Sequence, residues 1–215
     1  MIRALVFDFD GLILDTETAL IDAYAQVFHR HDRVFSRQLG HEAVGRVGLH
    51  FDPWAAFGPR ADRAALEAER QQASQEIIAG QPVLPGVQDY LHQARALGLH
   101  LGLASNSDHP HVEGHLARLG LRGHFDYLRC IEDVPAGKPE PHLYRAVIDH
   151  FGVAGREAVA FEDSEHGVHA AKHAGLWCVA VPGPSSLNHD LARADLTLPS
   201  LAHCPLADLL ARFGP

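Results

Sequence analysis

The stretch Leu5-Val6-Phe7-Asp8-Phe9-Asp10-Gly11-Leu12-Ile13-Leu14 decides how this chain is read. An apolar run, Ala4 to Phe7, has strand character and ends abruptly in two acids one residue apart, followed by glycine. Asp and Gly are poor strand formers, so the strand is expected to stop there. Carboxylates at i and i+2 of extended chain share one face. At the carboxyl end of a strand they lie where open α/β sheets place their ligands. Such a pair suits holding a hard cation and presenting a carboxylate nucleophile. An acidic turn after a core strand is the plain alternative.

Downstream the same texture recurs. Leu99 to Ala104 is a short apolar run followed by Ser105-Asn106-Ser107-Asp108, and Tyr127 to Ile131 reads as another strand. Lys138-Pro139-Glu140-Pro141 opens a helix carrying Leu143, Val147, Ile148 and Phe151. Ala158 to Phe161 reads as a buried strand; Glu162-Asp163-Ser164 and a helix to Gly175 follow, then a strand at Cys178 to Val181. This alternation predicts an α/β fold, a doubly wound parallel sheet of Rossmann-like type with helices on both faces.

Residues 16–82 break the pattern. Leu20, Tyr24, Val27 and Phe28 keep helical spacing, as do Leu66, Ala73, Ile77 and Ile78. Ala61 to Ala79 is rich in good helix formers, and Gly80 is a plausible stop. The expected organisation is therefore a core of residues 1–15 and 83–215, with a helical unit of residues 16–82 inserted after the first strand.

Composition bounds the function. The chain has 215 residues, 47% hydrophobic and 21% charged, which is ordinary for a globular protein. Its net charge of −9 argues against nucleic-acid binding through a broad basic surface. A phosphorylated substrate would have to be met locally, by a metal and a few cations. No apolar stretch is long enough for a bilayer, and Asp8 and Asp10 cut the first apolar run, so neither a membrane span nor a secretory signal is expected. Cys130, Cys178 and Cys204 are odd in number and widely spaced, which points to reduced thiols and a cytoplasmic protein. Of the 17 histidines, the groups His109, His111, His115 and His166, His169, His173 read as solvated helix faces. His41-Glu42 lacks the second histidine of the helical zinc motif, because Gly45 stands there. Lysine is rarer: Lys138 and Lys172 stand against sixteen arginines, and Lys172 is expected on the exposed side of its helix.

Strands of a parallel sheet release their chain at one common edge. Asp8-Phe9-Asp10-Gly11, Ser105-Asn106, Lys138-Pro139 and Glu162-Asp163-Ser164 should therefore converge. Together they offer several carboxylates, a hydroxyl and one lysine. Mg²⁺ takes such oxygen ligands and keeps substrate phosphate oxygens in its shell.

These four segments resemble the motifs of the haloacid dehalogenase superfamily, in the branch of β-phosphoglucomutase and phosphoglycolate phosphatase. The first resemblance runs from Asp8 through Asp15-Thr16-Glu17, and the fourth continues through Gly167 to Gly175. The resemblance implies a Mg²⁺-dependent phosphatase that hydrolyses a small phosphate monoester through an aspartyl-phosphate. It implies Asp8 as nucleophile and Asp10 as general acid and base. Ser105, Asn106 and Lys138 would bind the phosphoryl group. Asp8, Asp10 through its backbone carbonyl, and Asp163 would hold Mg²⁺, with Glu162 behind them. Residues 16–82 would be a mobile cap, with Glu17, Arg46 and His50 as candidate substrate contacts. Dehalogenases lack an acid at the position of Asp10, and phosphonate hydrolases use a cap lysine that residues 16–82 do not contain. The mutase has a cap lysine and a histidine where this chain has Leu20. Hydrolysis is therefore expected over a sugar-phosphate mutase reaction or a non-catalytic binding role. The implied partner is a small phosphorylated metabolite; oligomeric state is not legible.

Overall fold

A computed structural model describes residues 1–38, 40, 52–187 and 189–213. Its centre is a parallel sheet of six strands in the order β3-β2-β1-β4-β5-β6. The strands are β1 Ala4–Phe7, β2 His100–Ala104, β3 Tyr127–Arg129, β4 Ala158–Glu162, β5 Trp177–Ala180 and β6 Leu196–Thr197. The first strand lies in the middle, paired in parallel with β2 on one side and β4 on the other. The chain order reverses there, which makes the carboxyl end of β1 the topological switch point.

Burial on both faces explains the unbroken apolar runs. Ala4 and Val6 of β1 point to one face, with Ala158 and Ala160 of β4 and Cys178 and Ala180 of β5. That face is covered by α5, His142–Phe151, through Leu143, Tyr144, Val147 and Ile148, and by α6, Glu165–His173, through Val168, Ala170 and Ala171. The small strand residues let these helices approach closely. Phe7 points to the other face, stacked on Phe161, and Tyr90 of α3, Val87–Ala96, meets Phe161 edge-on. Helices thus cover both faces, as doubly wound folds require. Helix α4, His109–Arg118, follows β2, and a short α7, Leu206–Leu210, closes the chain.

The chain divides into two compact units, Met1–Leu14 with Pro82–Pro215, and Asp15–Gln81. The second contains α1, Thr16–Arg30, and α2, Arg63–Ala79, which pack together. Asp15 caps α1 by accepting from the Thr18 N–H, and Asp62 caps α2 by accepting from the Ala65 N–H. Its core joins Ile21, Val27, Phe28, Phe35, Trp54 and Leu66. The buried stripe of α1 differs from the spacing read in the sequence. Ile21 is fully buried and Leu20 and Tyr24 only partly, although Tyr24 still packs on the core through Phe35 and Trp54. No described helix is long and apolar enough to cross a membrane.

Candidate active site

The hydrogen-bond ladder runs one residue past several strand ends and so places the site. The Asp8 N–H donates to the Phe161 carbonyl at 3.0 Å, and the Ser105 N–H donates to the Arg129 carbonyl at 2.9 Å. Asp8, Ser105 and Asp163 therefore emerge at one edge of the sheet. After Asp8 the chain turns sharply: the N–H groups of Ile13 and Leu14 return to the Phe9 carbonyl, and Gly11 has φ of +77°. A Cβ at Gly11 would lie 2.3 Å from Asp163 Oδ2, so only glycine lets the backbone pass this carboxylate.

Asp8, Glu162 and Asp163 are all buried, and one carboxylate oxygen of each lies within 4.8 Å of the other two. Among them sits Lys138, whose Nζ donates to Asp8 Oδ1 at 2.5 Å and to Glu162 Oε1 at 2.6 Å. Glu162 is fully buried and is held in addition by the Tyr144 hydroxyl, which donates to Oε1 at 2.5 Å. Helix α6 passes close enough that a Cβ at Gly167 would lie 1.8 Å from Glu162 Oε2.

Burial is the largest influence on Asp8 and raises its carboxyl; Lys138 opposes this, and Glu162 and Asp10 add to it, leaving it pushed up to about 8. Burial works against a charged Lys138, but Asp8 and Glu162 outweigh it and hold the ammonium above its ordinary value. Burial, and then Glu162, push the Tyr144 hydroxyl well up, so it stays a donor. Three buried carboxylates against one ammonium is an unbalanced cluster. Buried charge is costly unless paired, so this cluster could bind a metal cation. Its donors are all hard oxygens, which fits a cation of the Mg²⁺ class.

Asp10 lies one turn residue beyond. Its Oδ2 accepts from the Ser107 hydroxyl at 2.6 Å and, more weakly, from the Ser105 hydroxyl at 3.4 Å, while Oδ1 lies 3.0 Å from His111 Nε2. The hydrogen bond to Asp10 is the main reason the His111 pKa is raised, against burial. Asn106 uses its side chain differently from a phosphate ligand. Its Oδ1 accepts from the Lys138 N–H at 2.8 Å and its Nδ2 donates to the Lys138 carbonyl at 3.1 Å. The amide thus straps the Lys138 loop, and only the Asn106 backbone N–H is left to face a phosphate.

Asp8, Asp10, Ser105, Asn106, Lys138, Glu162 and Asp163 come together within one unit. Glu17 lies in the first turn of α1, in the other unit, and is partly buried. Arg46 and His50 lie outside the described residues. Three partners were not assigned from sequence. Ser107 stands inside a segment already singled out, and Tyr144 is a hydroxyl on an otherwise apolar helix face, which when buried needs a partner. His111 was read as part of a solvated face. It is instead drawn inward, its ring edge-on to Phe9 at 5.7 Å. His109 likewise bridges Glu113 at 2.9 Å and Asp133 at 2.8 Å. Lys172 also departs from expectation. Its Nζ donates to Asp195 Oδ2 at 2.5 Å, and that oxygen also accepts from the Cys178 N–H at 2.8 Å, so the lysine anchors the β5–β6 edge.

The family model described as haloacid dehalogenase-like hydrolase matches residues 2–175. The chain belongs to that family. YhcW of Bacillus subtilis (strain 168), provisionally named a phosphatase, is 37% identical over 214 residues, covering 98% of this chain and 97% of that protein. Hexitol phosphatase B of Escherichia coli (strain K12) is 32% identical over 220 residues, covering 97% of each. The crystal structure of CbbY from Rhodobacter sphaeroides in complex with phosphate superposes with a TM-score of 0.77 at 30% identity, covering 97% of this chain and 99% of that one. The family and these relatives mark the chain as an enzyme, a phosphatase of the haloacid dehalogenase-like hydrolases.

Proposed function

We propose that this haloacid dehalogenase-like protein hydrolyses a small phosphate monoester, with Mg²⁺, through an aspartyl-phosphate on Asp8. The observation that carries the reading is Asp8 itself, buried at the switch point, bonded to Lys138 and grouped with Glu162 and Asp163. Asp8, Asp163 and the Asp10 backbone carbonyl would hold the ion, with Glu162 behind them. When bound, Mg²⁺ supplies positive charge to the transferring phosphoryl oxygens and to the carboxylates.

The side chains then divide the work. An Asp8 carboxylate oxygen forms a bond to phosphorus as the bond from phosphorus to the leaving oxygen breaks. Asp10 gives its proton to that leaving oxygen, and the alcohol departs. Water next attacks the aspartyl-phosphate, Asp10 takes a proton from it, and inorganic phosphate leaves with Asp8 regenerated. Lys138, the Ser105 hydroxyl and the Asn106 backbone N–H receive the phosphoryl oxygens, which is most of what such a transfer asks of a protein.

We infer that residues 16–82 act as the cap, with Glu17, Arg46 and His50 as its candidate substrate contacts. Leu20 and the lysine-free cap favour release of phosphate to water over transfer within a sugar. The net charge of −9 favours a small metabolite over nucleic acid as partner, and free buried thiols are consistent with a cytoplasmic protein. Phosphate release from aryl, polyol and sugar phosphates, with Mg²⁺ and after EDTA, tests the reading. Activity that survives EDTA would contradict it.

A pH dependence follows from Asp8. Its carboxyl rises on folding from 3.8 to about 8, so the protonated form is the one folding favours. That contribution to stability is full below the ordinary value and is lost as the pH climbs toward the raised one. Mg²⁺ binds the ionised form and must displace a proton at lower pH. The rise in Tm on adding Mg²⁺ should therefore be larger at about pH 8 than at about pH 6. Equal shifts at both values would show that Asp8 is not among the ligands.

A further inference from the structure

We propose that His111 is a positioning residue for Asp10, fixing its carboxyl for proton transfer to the leaving oxygen. This rests on Asp10 acting as the general acid, as argued above, and adds a residue from outside the four segments.

The placement of His111 is built by the chain around it. Asp108 is the N-cap of α4, and its Oδ1 accepts from the His111 N–H at 2.9 Å, which fixes the backbone from which the ring projects. The ring is then set by two aromatic contacts, edge-on to Phe9 at 5.7 Å and to His115 at 4.8 Å between centroids. Phe9 is fully buried and is the residue joining Asp8 to Asp10. The ring therefore packs on the short segment that carries both acids, and its Nε2 reaches Asp10 Oδ1 at 3.0 Å.

Asp10 needs such help. Its side chain is 23% exposed, unlike that of Asp8, and it lies beyond the end of β1, held there by a lone bridge to Leu14. Ser107 holds one oxygen and His111 the other, so the carboxyl plane is fixed from both ends. An N–H bond to a carboxyl group also strengthens as the group becomes charged. The contact with His111 thus grows as Asp10 loses its proton, which is the direction of catalysis.

The test compares native protein, His111→Phe and His111→Gln on two substrates. Glycerol phosphate has a poor leaving alkoxide that needs a proton; dinitrophenyl phosphate has a leaving group that does not. The ratio kcat/KM covers the steps through departure of the alcohol, so it isolates the acid step. His111→Phe keeps the ring contact with Phe9 but not the N–H. It should lose on the order of 10²-fold in kcat/KM on glycerol phosphate, the scale of a misplaced catalytic group, and change little on dinitrophenyl phosphate. His111→Gln, with an N–H near the Nε2 position, should recover most of the loss. Equal losses on both substrates, or none on glycerol phosphate, would overturn the proposal. Asp10→Asn distinguishes its failure from that of the wider reading. Should Asp10→Asn hydrolyse glycerol phosphate as well as native protein, the general-acid assignment itself fails. The contact is also read without turnover: the NMR resonance of the His111 ring Nε2 should move in Asp10→Asn, and an unmoved resonance overturns the pairing.

Discussion

Asp8→Asn should lower turnover on an aryl phosphate by at least ~10³-fold, the scale of losing a group that acts as part of a unit. The substitution keeps size and hydrogen-bonding capacity, so the fold has no reason to fail. An amide oxygen is a poor nucleophile, and the amide also brings less charge to a metal. Folding already works against the ionised Asp8 carboxyl, which is raised to about 8 mainly by burial. Removing that charge relieves an unbalanced cluster, so the variant without added metal should melt no lower than native protein near pH 8. Its Mg²⁺-induced rise in Tm should shrink. Steady-state rates and thermal melts measured together separate this outcome from simple unfolding. Hydrolysis that persists in a folded Asp8→Asn protein counts directly against Asp8 as the nucleophile.

The second large effect belongs to Lys138. Its ammonium lies 2.5 Å from Asp8 and 2.6 Å from Glu162, with only 4% of the side chain exposed. A compact point charge can serve two carboxylates and a phosphoryl oxygen from one position; a guanidinium is a wide planar fork. Glu162, fixed by Tyr144 and by the close approach at Gly167, has no freedom to retreat. Lys138→Arg should therefore lose on the order of 10²-fold or more in turnover, the scale of one positioned electrostatic contact. Tyr144→Phe removes only the donor that steadies Glu162. It should cost about 1.5–3 kcal/mol of stability, as hydrogen bonds to charged groups do, and less activity than Lys138→Arg. Lys172→Arg keeps charge and reach toward Asp195, the partner it uses at the β5–β6 edge, and should leave turnover near native. Near-native rates for Lys138→Arg would reduce Lys138 to a diffuse charge.

What was legible in the sequence follows from where information is local. The steps Phe7-Asp8, Ala104-Ser105 and Phe161-Glu162, at or next to strand ends, are abrupt changes from apolar to polar residues, and a parallel sheet turns them into one edge whatever the loops do. That logic alone brings Asp8, Asp10, Ser105, Lys138 and Asp163 to one edge. The short edge strand β6, Leu196–Thr197, has no comparable run and was not seen. The strand read as Tyr127 to Ile131 stops at Arg129, because the ladder and not propensity decides where pairing ends. The supporting residues were harder still. Tyr144 looks like one more residue of an apolar helix face, and His111 like one of many histidines on a polar surface. Their roles arise only when the helices dock, through contacts with Glu162 and with Phe9 and Asp10. Asn106 has a second task that its motif position did not reveal: its side-chain amide straps the Lys138 loop, which leaves the backbone N–H for a phosphate.

The stereochemical course at phosphorus tests the covalent account most directly. The native protein would be given a thiophosphate ester made chiral with two oxygen isotopes, in water of the third, and the configuration of the released thiophosphate determined. Transfer to Asp8 followed by attack of water is two in-line displacements, each inverting the phosphorus. The account predicts net retention of configuration. Net inversion would mean that water attacks the substrate in a single step, and would contradict an aspartyl-phosphate on Asp8.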